Sequence, residues 1–368
     1  MRQGIIPLLF GLIFPRRLPD PACGKPGLPL VSKTMASLLP PRYLSFRHLS
    51  FVLPLVILLT LFLSFPSLAA METGETAGPP ARVAAPILPV LLQGDLVWRE
   101  IAPGLESLEL QLGKQKQGSD SATTLSVAPA PAGSRGNLVI LRTDPAKCEY
   151  SLHMASENRQ RRSLRACADD FGLDAAINAG MFLPDNLKNT GYMRNATHVN
   201  NPRIVANFGA FFLAEPVKKK LPRAVLAEKN ELGDKLEQKI ADYSIAVQNY
   251  RLTNARGEIL WPESSESYSI SALARDKRGR VMFVAAEYQL SAPDFARVLL
   301  LLPLETDLIM YLEGGTQAGL VIRDTGREPG ETNSWRIWRG RHGLLSGLGG
   351  PEEVELPNVL GVRSLARP

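Results

Sequence analysis

Cysteine is scarce in this 368-residue chain: Cys23, Cys148 and Cys167 are the whole complement. No Cys-x-x-Cys occurs, and the four histidines, His48, His153, His198 and His342, fall at no zinc-ligand spacing. Both absences argue against a His/Cys zinc centre. Also missing are a Gly-x-Ser-x-Gly elbow, a Walker loop and a Gly-x-Gly-x-x-Gly after a strand. Serine-hydrolase, nucleotide-hydrolase and dinucleotide chemistries lose their usual signatures with them. A basic body is absent too. The formal net charge is +6, but residues 1–70 hold seven of the 42 Lys and Arg and one of the 36 Asp and Glu, so residues 71–368 carry 35 of each. A neutral body speaks against nucleic acid as a partner.

What is present begins with Phe51–Phe65, FVLPLVILLTLFLSF, which is uncharged. Arg42, Arg47 and His48 precede it, and Pro66-Ser67-Leu68-Ala69-Ala70 follows. A positive flank, a short apolar core and a small-residue exit describe a secretory signal peptide. A spanning helix needs roughly 20 apolar residues, and Met71-Glu72-Thr73-Gly74 makes a poor stop. Cleavage near Ala69 or Ala70 is favoured over an uncleaved anchor, in which membrane contact would run through the leader 1–70 alone. A start at Met35 would make 35–70 a signal of conventional length, and Met1 and Met35 both stay open as starts. The expectation is an exported protein, periplasmic or extracellular. In that setting an even pair of body cysteines points to one disulfide, Cys148–Cys167, with two unpaired thiols as the alternative.

Residues 71–94 are rich in Pro, Ala and Gly and read as a linker; a domain follows over 95–368. Within it, 114–136 (KQKQGSDSATTLSVAPAPAGSRG) reads as a flexible loop. Strands are predicted at Leu138–Thr143, Tyr150–Ala155, Ala175–Asn178, Ala206–Leu213, Asp242–Val247, Ile270–Ala274, Val281–Ala286, Asp307–Leu312 and Gly319–Arg323. Leu164–Phe171 is a short helix, and Pro293–Leu302 is the clearest one, with Phe295, Val298, Leu299 and Leu302 at helical spacing. Many strands and few helices in irregular order predict an α+β fold: a single large domain of mixed, mainly antiparallel sheets.

Four segments place polar groups and glycine at the ends of apolar strands: Asn178-Ala179-Gly180-Met181-Phe182, Val247-Gln248-Asn249-Tyr250-Arg251, Tyr268-Ser269-Ile270-Ser271-Ala272-Leu273 and Tyr311-Leu312-Glu313-Gly314-Gly315-Thr316-Gln317. The last is the strongest, because a carboxylate ending a buried strand is costly unless paired or used. The glycines after it can turn backbone N–H groups toward an anion. Each segment also has a plain reading as a turn or an inter-strand loop.

These segments, in this order, resemble the phosphodiester glycosidase family, whose domain is shared with the mannose 6-phosphate uncovering enzyme, N-acetylglucosamine-1-phosphodiester alpha-N-acetylglucosaminidase. The resemblance runs from about Trp98 to Val362 and includes LVILRTDP, AAINAGMF, GAFFL, IAVQNYRL, YSISALARDKRGRV, LIMYLEGGTQAGLVIR and PNVLGV. It is closest to a bacterial branch with Gln-Asn-Tyr-Arg and Glu-Gly-Gly. The uncovering enzyme is more like Asp-Gly-Gly-Gly-Ser at the last segment, where Glu313 stands here for the acid.

The resemblance implies an exported hydrolase that cleaves a sugar–phosphate bond of a glycosyl phosphodiester in envelope glycans. Such a site must stabilise an oxocarbenium-like centre and neutralise a phosphate. Glu313, Asn178 and Asn249 are the candidate catalytic residues. Arg251 offers a guanidinium for phosphate oxygens. Gln248, Gly180, Gly314, Gly315, Gln317 and Ser271 complete the expected substrate-binding set, and His198 is a secondary candidate as proton shuttle. No cofactor is required, although oxygens of Glu, Asn and Gln could hold calcium or magnesium. Two alternatives stand beside this one: a non-catalytic envelope glycan-binding module, and an ordinary two-carboxylate glycoside hydrolase with Asp276 or Glu287 opposite Glu313.

Overall fold

Strands in this chain alternate or run on according to how many faces they bury. β6 (Cys148–Met154) turns Cys148, Tyr150, Leu152 and Met154 inward and leaves Glu149, Ser151 and His153 half-exposed. β14 (Val281–Leu290) opens with seven buried residues in a row, as a strand covered on both sides must. The computed structural model describes residues 89–116, 123–131, 134–218, 220–324, 334–340 and 354–366. Contacts divide the chain into Met1–Pro79 and Pro80–Pro368, and every described residue lies in the second unit.

That unit is built from three sheets. The first runs β1 (Val90–Leu92), β4 (Thr123–Pro129), β3 (Leu105–Lys116), β5 (Leu138–Thr143), β14, β13 (Tyr268–Asp276), β15 (Thr306–Gly314), with β2 (Arg99–Ala102) also beside β3. The second runs β11 (Ala224–Glu228), β10 (Ala210–Pro216), β12 (Tyr243–Asn249), β8 (Met193–Arg194), β9 (Val199–Asn201). The third runs β17 (Ser334–Arg339), β16 (Gly319–Asp324), β7 (Ala175–Asn178), β18 (Asn358–Ser364), β6. β1 and β4 pair in parallel, whereas the pairs that build the rest of the first sheet, such as β13–β14 and β13–β15, are antiparallel.

One core joins the three sheets: Leu105, Phe283 and Met310 from the first, Phe212 and Val247 from the second, Ile177, Leu320 and Leu360 from the third. Helices cover the outer faces. α1 (Ala155–Asn158) is a single turn after β6. α2 (Leu164–Asp170) seals the third sheet through Leu164, Cys167 and Ala168, packed with Ala176 and Val359. α3 (Lys229–Leu232) and α4 (Leu236–Ala241) lie on the second, Ile240 meeting Phe211 and Leu213. α5 (Ala292–Leu301) covers the first sheet with Phe295, Val298 and Leu299, each fully buried side chain contributing about 1.5–3 kcal/mol. Its start is set by Ser291, whose Oγ accepts from the Asp294 N–H at 3.2 Å. No helix among the described residues is long and apolar enough to cross a membrane.

Several expectations need correction. The fold is more strand-rich than an even α+β mixture, with sheets carrying the core and helices only capping their outer faces. Residues 71–94 are not all linker, because Val90–Leu92 pairs with Leu125–Val127. The segment 114–136 is not one loop: Lys114–Lys116 finish β3, and Thr123–Lys116 through Pro129–Leu110 form a regular antiparallel ladder. Its Ala, Val and Pro content concealed a strand with Leu125 and Val127 in the core. The leader 1–70 lies outside the described residues. Cys148 and Cys167 are both free thiols. They sit in different core clusters, Cys148 with the central core and Cys167 under α2, and burial pushes each thiol up to about 12.

Candidate active site

Three strand ends, one from each sheet, meet at a polar spot: Asn178 closes β7, Asn249 closes β12, and Glu313 with Gly314 closes β15. The joins are specific. Asn249 Nδ2 donates to the Leu312 carbonyl at 3.2 Å, and its Oδ1 accepts from the Tyr250 N–H at 2.8 Å. Asn178 Oδ1 accepts from the Gly319 N–H at 3.2 Å, just past the Glu313 loop. Gly180, at φ +152°, lies between: a Cβ there would stand 2.7 Å from Asn189 Oδ1 and 3.1 Å from Asn249 Nδ2. Glycine is needed for both the backbone angle and the close approach.

Glu313 is placed by an irregularity. β13 and β15 pair Ser271 with Glu313 but Ala272 with Tyr311, so Leu312 is an extra residue that re-aims the chain end. Ser271 Oγ donates to the Glu313 carbonyl at 3.3 Å and locks this step. The Glu313 carboxylate accepts from the Gly314 N–H at 3.1 Å, and no cation among the described residues pairs with it. Burial therefore dominates over that one hydrogen bond and pushes the carboxyl up to about 7. Such a group is charged and neutral in comparable amounts at neutral pH, as a working acid or base requires.

Other expected residues have structural duties. Gln248, fully buried, donates from Nε2 to the carbonyls of Val205 (2.7 Å) and Phe208 (2.8 Å). Its Oε1 accepts from the N–H groups of Val205 (2.9 Å) and Tyr192 (3.3 Å). It is a clamp on the loop before β10, with nothing left for a substrate. Arg251 pairs with Glu228, which also accepts from the Ala255 N–H at 2.9 Å and caps α3. The guanidinium expected to bind phosphate thus faces a buried carboxylate through one ion pair. Gly314 turns its N–H onto Glu313 rather than onto an external anion, while Gly315, at φ +69°, begins the tight turn Gly315–Gln317. Gln317 Oε1 accepts from the Thr316 hydroxyl at 3.1 Å.

His198 stands in the β8–β9 hairpin, its Nε2 2.9 Å from Ser156 Oγ, and Ser156 Oγ accepts from Asn200 Nδ2 at 2.7 Å. Asp276 holds its own turn, accepting from the Arg278 and Arg280 N–H groups and the Arg280 side chain. It lies five residues along β13 from Ser271, about 16 Å away. Glu287 is held by both Nη atoms of Arg135, each at 2.9 Å. A cleft of about 1020 Å³ lies at that far end of β13, near Asp276, and its residues Arg223, Arg275, Arg278 and Arg280 each pair with an acid.

Five residues at or beside the junction were given no role from the sequence. Asn189, Asn200 and Asn358 are buried around Gly180: the Asn189 N–H donates to Asn200 Oδ1 at 2.6 Å, and Asn200 Nδ2 reaches Asn358 Oδ1 at 3.3 Å. Asn178 Nδ2, Asn189 Oδ1 and Asn358 Nδ2 have no protein partner. Tyr268 and Tyr311 hydrogen-bond to each other beside Glu313. The tyrosines stand inside the quoted strand motifs, and Asn358 opens PNVLGV; Asn189 and Asn200 carry no local signal at all.

No family model matches this chain, and no curated protein does. Among solved structures it is similar to the catalytic domain of zebrafish N-acetylglucosamine-1-phosphodiester alpha-N-acetylglucosaminidase, auto-inhibited by its pro-peptide. That match has 13% identity and a TM-score of 0.44, and covers 72% of this chain and 85% of that one. It is similar also to a hypothetical protein from Synechocystis, at 13% identity and a TM-score of 0.45, over 73% of this chain and 64% of the other. Likenesses at this level transfer no residue's role.

Proposed function

We propose that this chain is an exported hydrolase that breaks the bond between an anomeric carbon and phosphate in a glycosyl phosphodiester of envelope glycans. The observation that carries the reading is Glu313: a half-buried carboxyl, raised to about 7, without a cationic partner among the described residues, at the meeting point of three sheets. A glycoside with an alcohol leaving group calls for two carboxyls about 5–10 Å apart. Asp276 is remote and Glu287 is engaged by Arg135. One working carboxyl suits a substrate whose phosphate leaves without protonation.

In this mechanism Glu313 acts as base. It takes a proton from water as the water oxygen bonds to the anomeric carbon, and the phosphomonoester departs with the bonding electron pair. The amides of Asn178 and Asn249 border the sugar. Calcium or magnesium fits poorly here, since Glu313 is the one carboxylate described at the junction and the amide oxygens beside it each already accept a backbone N–H, a sparse donor set for either ion, so no step runs through a metal. The pairing of Arg251 with Glu228 favours one competing reading, a glycan-binding module without turnover.

The test offers the protein N-acetylglucosamine-1-phosphate esterified to a chromogenic alcohol, alongside a panel of other sugar phosphodiesters, with and without EDTA. Release of free sugar is expected, rising with pH through about 7 as Glu313 loses its proton, and insensitive to EDTA. Glu313→Gln is expected to lower kcat by about 10²–10⁴-fold. Measurable binding with no release across the panel gives the module reading instead.

A further inference from the structure

Glycine at 314 is unexplained by its backbone, which is extended at φ −124° and ψ 168° and open to any residue. What forbids a side chain is its neighbours: a Cβ on Gly314 would stand 2.5 Å from Tyr311 Oη and 2.7 and 2.8 Å from Tyr268 Cδ2 and Cε2. The Tyr311 hydroxyl and the Tyr268 ring edge therefore press against Gly314, whose N–H holds the Glu313 carboxylate. Both tyrosines are held there from several sides. Their hydroxyls bond to each other. Trp261 packs on Tyr311 with ring centroids 5.3 Å apart, and the Trp261 N–H is fixed to the Arg251 carbonyl at 3.0 Å. Tyr311 itself is buried in β15 opposite Ala272, while Tyr268, half-buried, opens β13.

We propose that Tyr268 and Tyr311 are positioning residues for Glu313, a hydrogen-bonded wall that closes the carboxyl off from water on the Gly314 side and fixes its one N–H donor. This rests on the reading of Glu313 as the working base. Among the described residues the polar side chains tied to this end of β15 are uncharged, Asn249 of β12 on the Leu312 carbonyl and Ser271 of β13 on the Glu313 carbonyl, so water access is the variable by which the Glu313 proton affinity is set. The Tyr311 hydroxyl and the Tyr268 ring edge both stand against Gly314, the residue whose N–H bonds the carboxylate. The rings, rather than the hydroxyls, exclude water. Removing a ring is expected to lower the proton affinity of Glu313, and removing only the Tyr268 hydroxyl to leave it nearly unchanged.

The test titrates the carboxyl directly, without substrate. Full-length protein labelled with ¹³C at glutamate Cδ is followed by NMR from pH 4 to 9, with the Glu313 resonance assigned by its loss in Glu313→Gln. Wild type is expected to titrate near 7 and Tyr268→Phe within a few tenths of it. Tyr268→Ala and Gly314→Ala, the latter displacing the Tyr268 ring and the Tyr311 hydroxyl from the backbone side, are expected to fall by about one unit or more toward the ordinary carboxylate value. A folded Tyr268→Ala and a folded Gly314→Ala that titrate with wild type would overturn the wall. A wild type that itself titrates at the ordinary value would instead remove the base assigned to Glu313. Should one variant fail to fold, the other decides.

Discussion

At the scale of single residues, burial and partnership decide what each side chain can do. Glu313 near the end of β15 and Glu287 within β14 are both glutamates on apolar strands, yet Arg135 holds Glu287 at two points while Glu313 has only a backbone N–H. The difference appears in stability as well as chemistry. An acid whose folded value lies above its unfolded one binds more protons when folded, so stability falls as pH rises from about 4.5 to about 7 and then levels. Glu313→Gln removes that charged form. It is expected to be more stable than wild type at pH 8, by on the order of 1–3 kcal/mol, and close to it at pH 4, as urea unfolding at the two pH values will read. Equal differences at both would mean that the carboxyl is not desolvated. Glu313 was legible in the sequence because a carboxylate at a buried strand end is conspicuous. The fate of Arg251 was not, since Glu228 is 23 positions earlier and only the fold brings them together.

At the scale of elements, strand ends do the positioning, and Gln248 illustrates it. From the penultimate position of β12 its amide holds two carbonyls and two N–H groups of the chain at 192–208, the stretch that leads into β10. Gln248→Leu leaves these buried groups unpaired. It is expected to cost about 2–4 kcal/mol and to raise hydrogen exchange at Val205–Phe208, with α5 unaffected. Exchange unchanged in that loop would deny the clamp. Elements with strong periodicity were readable in advance: α5 from Phe295, Val298 and Leu299, and the β13–β14 hairpin through the Asp276–Gly279 turn. β4 escaped notice because Ser, Ala and Pro in its sequence resemble a loop, while pairing on both edges, with β1 and β3, makes it a strand.

At the scale of the whole molecule, one core serves three sheets, and its thiols are part of it. Cys148 and Cys167 should leave thermal unfolding unchanged by dithiothreitol and should react with a thiol reagent only once the protein opens. A reductant-sensitive melting temperature would restore the disulfide. The amino-acid sequence by itself determined the neutral charge of residues 71–368, the alternation that makes strands, the place of helix α5 and the carboxylate at a buried strand end. Those properties depend on neighbours along the chain. Tertiary structure alone decided that Asn178, Asn249 and Glu313 meet, that Arg251 faces Glu228, that Tyr268 and Tyr311 close on Gly314 and that two cysteines stay apart. Each joins groups from different strands or from distant stretches of chain, and sheet register and core packing select such partners with no trace in the local pattern.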